Sequence, residues 1–189
     1  MTTTFLLERL DTPLGQMLLA CDEQGKLRII DWFDYEGRMR LLVKRQYPGQ
    51  PVELRETRSL SPASLAMQAY FEGELDALDD LEVVTGGTEF QRTVWAALRT
   101  IPRGQTISYL ELAERIGRPT AVRAVGLANG ANPVSIVVPC HRVIGSGIKG
   151  ALVGYGGGLE RKRWLLEHEH AIARTPAVQP ALQAALPGF

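Results

Sequence analysis

Between Thr88 and Pro133 the chain is punctuated in a way that leaves few folds open. Thr88 with Gln91, and Ser108 with Glu111, each fit a capping box, in which a hydroxyl residue is answered three positions later. The first box is followed by the apolar stripe Phe90, Val94, Trp95 and Leu98, the mark of a core-facing helix that Ile101-Pro102-Arg103-Gly104 ends. The second opens a helix running to Ile116 and closed by Gly117. Arg118-Pro119 predicts the start of another helix, because proline suits the first turn. Asn132-Pro133 stops it, because the residue before proline is pushed out of the helical region. Helix, short glycine-containing turn, helix is the helix-turn-helix pattern. Its second helix carries only small residues at Ala121, Ala124, Gly126, Ala128 and Gly130, with Arg123 as its one charge after Arg118. Such a helix serves either tight packing against a neighbour or close approach to nucleic acid, with Arg123 as a probe.

The chain as a whole is 189 residues of ordinary globular composition, 45% hydrophobic and 22% charged, which excludes a disordered or collagen-like protein. No apolar run reaches the roughly 18 residues of a membrane span, and the N-terminus has no signal-peptide pattern. Two cysteines, Cys21 and Cys140, cannot make a disulfide framework and suit a reducing cytoplasm. The net charge of zero argues against a nucleic-acid binder until it is divided. Residues 1–85 hold 9 basic and 15 acidic side chains, whereas residues 91–150 hold 8 basic and 2 acidic. Asymmetry of this kind points to a polyanion on one side, or to two differently charged solvated faces.

Residues 1–85 are expected to form an N-terminal α/β scaffold domain. Strands are predicted at Phe5-Leu6-Leu7, from Gly15 to Cys21 and from Leu27 to Trp32, with the turn signal Asp22-Glu23-Gln24-Gly25 between the last two. Helices are predicted from Glu36 to Arg45 and after Ser61-Pro62. Cys21 reads as a buried structural thiol. Residues 86–175 form the second domain and 176–189 a frayed tail. In that second domain the β-branched run Val134 to Val138 predicts a buried strand leading to Pro139-Cys140-His141-Arg142-Val143. A glycine-rich loop from Gly145 to Gly158 and an amphipathic helix over residues 159–169 follow.

Cys140 is the natural nucleophile, and a thiol needs a base or a positive field to become reactive. His141 can act as that base and Glu169 as the acid that orients it, if the last helix folds back. In an extended chain Cys140 and His141 point to opposite sides, so a bridging water is needed between them. From the residues alone, an inert core thiol beside a satisfied buried histidine is the favoured reading. The spacing of Cys140, His141, His168 and His170 matches no common zinc pattern.

Pro-Cys-His-Arg-Val at 139–143, Asn132-Pro133 before it and Gly154-Tyr155-Gly156-Gly157-Gly158 after it resemble the O6-alkylguanine-DNA alkyltransferases, also called methylated-DNA–protein-cysteine methyltransferases, in their bacterial constitutive form. The resemblance is strongest over residues 86–170. It implies an α+β fold, with a ribonuclease-H-like sheet-and-helix domain before a helical domain containing the helix-turn-helix. It implies that Cys140 is the alkyl acceptor, His141 its base through a water, and Glu169 the orienting acid. Asn132 resembles the hinge before the active-site segment, and Tyr109 the tyrosine at the target phosphate that helps protonate the leaving oxygen. Arg123 resembles the finger that fills the duplex gap. The helix around Ala124 and Gly126 resembles the family's recognition helix, which lies in the minor groove. The resemblance also implies Gln91 as a further DNA contact and Val143, Tyr155 and Gly156 as the lining of the base pocket. Gly156 stands where some relatives carry serine, and a loop after Cys140 about two residues longer, with Gly130, predicts tolerance of larger alkyl groups.

The implied activity is single-turnover repair of O6-alkylguanine, and of O4-alkylthymine, in duplex DNA by a cofactor-free, zinc-free, cytoplasmic monomer with no membrane contact. Two rivals remain: a non-catalytic alkylated-base-binding protein of the same fold, and a turning-over cysteine hydrolase using Cys140, His141 and Glu169.

Overall fold

The computed structural model describes residues 2–145 and 152–174. The tail expected at 176–189 and residues 146–151 of the loop after Cys140 lie outside the described residues.

Strands β1 (Thr3–Thr12), β2 (Gly15–Asp22), β3 (Leu27–Trp32) and β4 (Val52–Glu56) form one sheet in the order β3-β2-β1-β4. The first three pair antiparallel, and β4 lies parallel to β1. The turn between β1 and β2 needs Gly15, whose φ of 106° is open to glycine. The central strand β2 is apolar on both faces, and its alternation sends its side chains into two cores. Leu18 and Ala20 join Phe5, Leu7 and Ile29 under helix α1 (Glu36–Gln46), which adds Met39 and Val43. Met17, Leu19 and Cys21 face the other way, into a core shared with the C-terminal half. Cys21 is buried as expected. Helix α2 (Pro62–Glu72) starts on Ser61, whose hydroxyl accepts from Ser64 N–H. It lays Met67 and Tyr70 into that shared core.

The C-terminal half is helical. Both capping boxes form, on α3 (Glu89–Arg99) and α4 (Tyr109–Arg115). The next helix begins later than its proline suggests. Arg118 to Thr120 make a turn, and α5 runs over Val122–Gly130. The Ala121 N–H bonds to the Arg118 carbonyl, which closes a separate turn before the helix starts. Helix α6 (Leu159–His168) closes the domain, and β5 (Ile107–Ser108) pairs parallel with β6 (Val143–Ile144).

Val134 to Val138 is not the predicted strand. It is a buried turn in which Ile136 has φ 72°, rare for a β-branched residue. Its backbone is tied to the edge of the N-terminal sheet: Ile30 N–H donates to the Pro133 carbonyl, and Ser135 N–H to the Ile30 carbonyl. A short β-branched apolar run reports burial, and burial alone does not distinguish a strand from a packed turn. The strand β3 thereby holds the segment that carries Cys140.

Candidate active site

Cys140, His141 and Arg142 form one short 3-10 turn just before β6, and all three are buried. Asn132 organises the approach to it. Its Oδ1 accepts from Val134 N–H, while its Nδ2 donates to the Val138 carbonyl at 2.8 Å and to Cys140 Sγ at 3.2 Å. Burial pushes the Cys140 thiol up, against the opposing pull of Asn132, Lys162 and Arg38, so the sulfur rests protonated.

His141 is fully buried, and burial lowers its pKa, so the ring is neutral near pH 7. Its Nε2 meets Glu169 Oε1 at 3.1 Å. Since a carboxylate only accepts, this bond puts the ring proton on Nε2. Nδ1 is then the lone-pair nitrogen, and it is buried with no hydrogen-bond partner among the described residues. Cys140 and His141 make no hydrogen bond to each other. The premise of an extended chain fails, because both sit in the 3-10 turn, but the expectation of no direct bond stands.

Glu169 follows the last residue of α6 and is held from three sides. Arg142 forks onto it, Nε to Oε2 at 2.7 Å and Nη2 to Oε1 at 2.8 Å, and its Nη1 reaches the Ile101 carbonyl. The Tyr70 hydroxyl donates to Oε1 at 2.9 Å. Burial alone would raise this carboxyl, yet His141 and Arg142 hold it well below the usual carboxylate range.

Tyr155 and Tyr109 lie close enough to Cys140 to feel its charge. Val143 is buried in β6. The Tyr155 ring meets His141 edge-on at 6.5 Å between centroids, and its buried hydroxyl is raised by burial and by Cys140. Tyr109 opens α4, and its hydroxyl donates to the Gly154 carbonyl at 3.4 Å. Burial and the nearby Cys140 raise that hydroxyl too, so it stays a proton donor. Gly156 is packed on Arg38: a Cβ there would collide with the guanidinium, which is held by Asp31 at 2.8 Å and by the Gly130 carbonyl.

Helix α5 packs one face inward and leaves the other open. Val125, Ala128 and Asn129 face inward, and Trp95 Nε1 donates to the Ala128 carbonyl. Arg123, Ala124, Leu127 and Gly130 are exposed, Leu127 to 72%. Gly126 lies over the Tyr109 ring, where an added methyl would be in ordinary contact at 3.9 Å. Gln91 is committed locally, its Oε1 accepting from Thr88 N–H to complete the first capping box.

Three residues of this constellation escaped the sequence reading. Arg142 lies inside the Pro-Cys-His-Arg-Val motif. Lys162 is fully buried, donates to the Val143 and Val153 carbonyls, and is pushed down to about 8 by burial. Its place on the apolar stripe with Leu165 and Leu166 was a visible signal. Tyr70 gave none.

A resting thiol, a neutral histidine with a free basic nitrogen, and a saturated carboxylate, set beside a helix-turn-helix, define a class: DNA-associated proteins with a cysteine nucleophile. Two family models match, "6-O-methylguanine DNA methyltransferase, ribonuclease-like domain" over residues 5–84 and "6-O-methylguanine DNA methyltransferase, DNA binding domain" over residues 89–171. The chain belongs to the methylated-DNA–protein-cysteine methyltransferase family. A methylated-DNA–protein-cysteine methyltransferase of Salmonella typhimurium is 52% identical over 162 residues, 86% of this chain and 94% of the relative. One from Mycobacterium tuberculosis is 45% identical over 168 residues, 89% of this chain and 93% of the relative. Among solved structures, the O6-methylguanine methyltransferase of Mycobacterium tuberculosis superposes with TM-score 0.69 at 41% identity, covering 92% of this chain and 96% of that one. A complex of the Mycobacterium tuberculosis protein with DNA gives TM-score 0.68 at 40% identity, covering 88% and 93%.

Proposed function

We propose that Cys140 accepts the alkyl group of O6-alkylguanine, and of O4-alkylthymine, in duplex DNA, in a single irreversible displacement. The observation that carries this reading is the pairing of Cys140 Sγ, bonded to Asn132, with a neighbouring His141 whose Nδ1 is free to take a proton. The alkyl carbon of a stacked base is out of reach, so the nucleotide is flipped, at a cost of about a few kcal/mol that is lower for a damaged pair. Arg123 fills the gap, while Ala124, Gly126 and Gln91 lie along the DNA and the α5 backbone approaches it closely. The base enters between Val143, Tyr155 and the backbone of Gly156.

The thiol proton passes through a water to His141 Nδ1, and Glu169 stabilises the imidazolium. Asn132 steadies the thiolate. Sulfur attacks the alkyl carbon, a C–S bond forms, and the bond from carbon to the base oxygen breaks. Tyr109 helps protonate that oxygen, and the proton lost by sulfur balances the one gained by the base. No cofactor takes part. The thioether has no leaving group that a histidine can activate, so each chain acts once.

The division of the chain at residues 85/86 and 175/176 belongs to the same proposal, as does a cytoplasmic monomer. No helix among the described residues is long and apolar enough to cross a membrane.

The test is duplex DNA carrying labelled O6-methylguanine, followed by mass spectrometry of the protein. One methyl per chain on Cys140, and none in Cys140→Ser, is expected. Repeated turnover would favour the hydrolase, and binding without transfer the non-catalytic reader.

A further inference from the structure

Glu169 orients His141, yet one of the four hydrogen bonds that hold Glu169 comes from the N-terminal part of the chain. Tyr70 lies on α2, in the ribonuclease-like part of the molecule, and its hydroxyl donates to the same Oε1 that receives His141 Nε2. The ring is fully buried. It is pinned by α6, which carries Glu169 at its end: the Tyr70 carbonyl is bonded by His168 Nε2 at 2.7 Å, and the two rings meet edge-on at 5.1 Å. The hydroxyl therefore has no freedom to serve another acceptor.

We propose that Tyr70 is a positioning residue of the alkyl-transfer reaction, by which the N-terminal domain sets how strongly Glu169 holds and polarises His141. This rests on the role assigned above to His141. A carboxylate oxygen shared among donors gives less electron density to each. Tyr70 and Arg142 thus compete with His141 for Oε1, which restrains the basicity of His141 while fixing the carboxylate in place. The other charged or titratable groups around the pair are Cys140 and Arg142 on the 3-10 turn, Lys162 and His168 on α6, Tyr155 beside the ring, and Arg103 after α3. Arg142 and Lys162 oppose protonation of His141, so Tyr70 acts in the same direction as both.

The test compares single-turnover transfer from O6-methylguanine duplexes across pH in wild type, Tyr70→Phe, and a protein with 3-fluorotyrosine at position 70, a stronger hydrogen-bond donor of nearly the same shape. Met67→Ala, buried on the same helix but remote from Glu169's hydrogen bonds, controls for lost packing. Tyr70→Phe is expected to slow transfer roughly tenfold near pH 7, the scale of one lost hydrogen bond to a charged group. Its acid limb moves to higher pH, because His141 becomes easier to protonate. The fluorinated protein moves that limb to lower pH. If Tyr70→Phe does not fold, the fluorinated protein decides alone. Acid limbs unchanged from wild type, or a rate in Tyr70→Phe no lower than in Met67→Ala, would overturn the proposal. Absence of transfer to Cys140 in wild type would instead refute the function on which it rests.

Discussion

Glu169 receives four hydrogen bonds, from His141, Tyr70 and twice from Arg142, and this saturation makes it an anchor that stays ionised at neutral pH. Its folded pKa lies below its unfolded one. The stability it contributes is therefore present above the ordinary carboxylate value and is lost as pH falls below about 4.3. Glu169→Gln leaves Arg142 buried beside a neutral group, and the expected loss is about 3 kcal/mol at neutral pH. In urea titrations at a series of pH values, the variant should also lack part of the acid-induced loss seen in wild type; an identical acid response would contradict this. At this scale residue type marked Cys140, His141 and Glu169 as candidates, and the fold brings Glu169 onto His141. Tyr70 was not, because its contact with Glu169 spans 99 positions and a tyrosine on an apolar stripe looks like core.

At the scale of elements, legibility followed locality. Both capping boxes form where hydroxyl and partner stand three residues apart, since such bonds need nothing from the rest of the fold. The edge strand β4 was missed because its sequence, Val-Glu-Leu-Arg-Glu, is half exposed and gains its place only by pairing with β1. The turn at Val134 to Val138 was mistaken for a strand because its left-handed Ile136 is imposed by tertiary packing, with the neighbouring backbone gripped by β3. Helix α5 forms, but it starts later than Arg118-Pro119 suggested. Its open face supports a further expectation: Arg123→Ala weakens repair in duplex DNA more than reaction with free O6-benzylguanine. Rates measured on both substrates settle it, since a finger that fills a duplex gap has no task with a free base, and equal losses would remove that role.

Over the whole molecule, a neutral sum conceals an acidic N-terminal sheet domain and a basic stretch at 91–150. The two are joined by one continuous core and by polar ties that cross between them, from Ile30 to Ser135, Asp31 through Arg38 to Gly130, and Tyr70 to Glu169. Binding to undamaged duplex DNA is expected to be modest and to weaken steeply with salt, with a log–log slope of about −0.9 per phosphate neutralised. Fluorescence anisotropy across a salt series measures the slope, and a flat response would mean that the basic stretch does not meet the backbone.

Gly156 and Arg38 compete for one small volume beside the sulfur. A side chain gained at 156 would therefore move the guanidinium of Arg38, and with it loosen the ties to Asp31 and to the end of α5. The backbone at 156 is thereby linked to a helix in the other half of the chain.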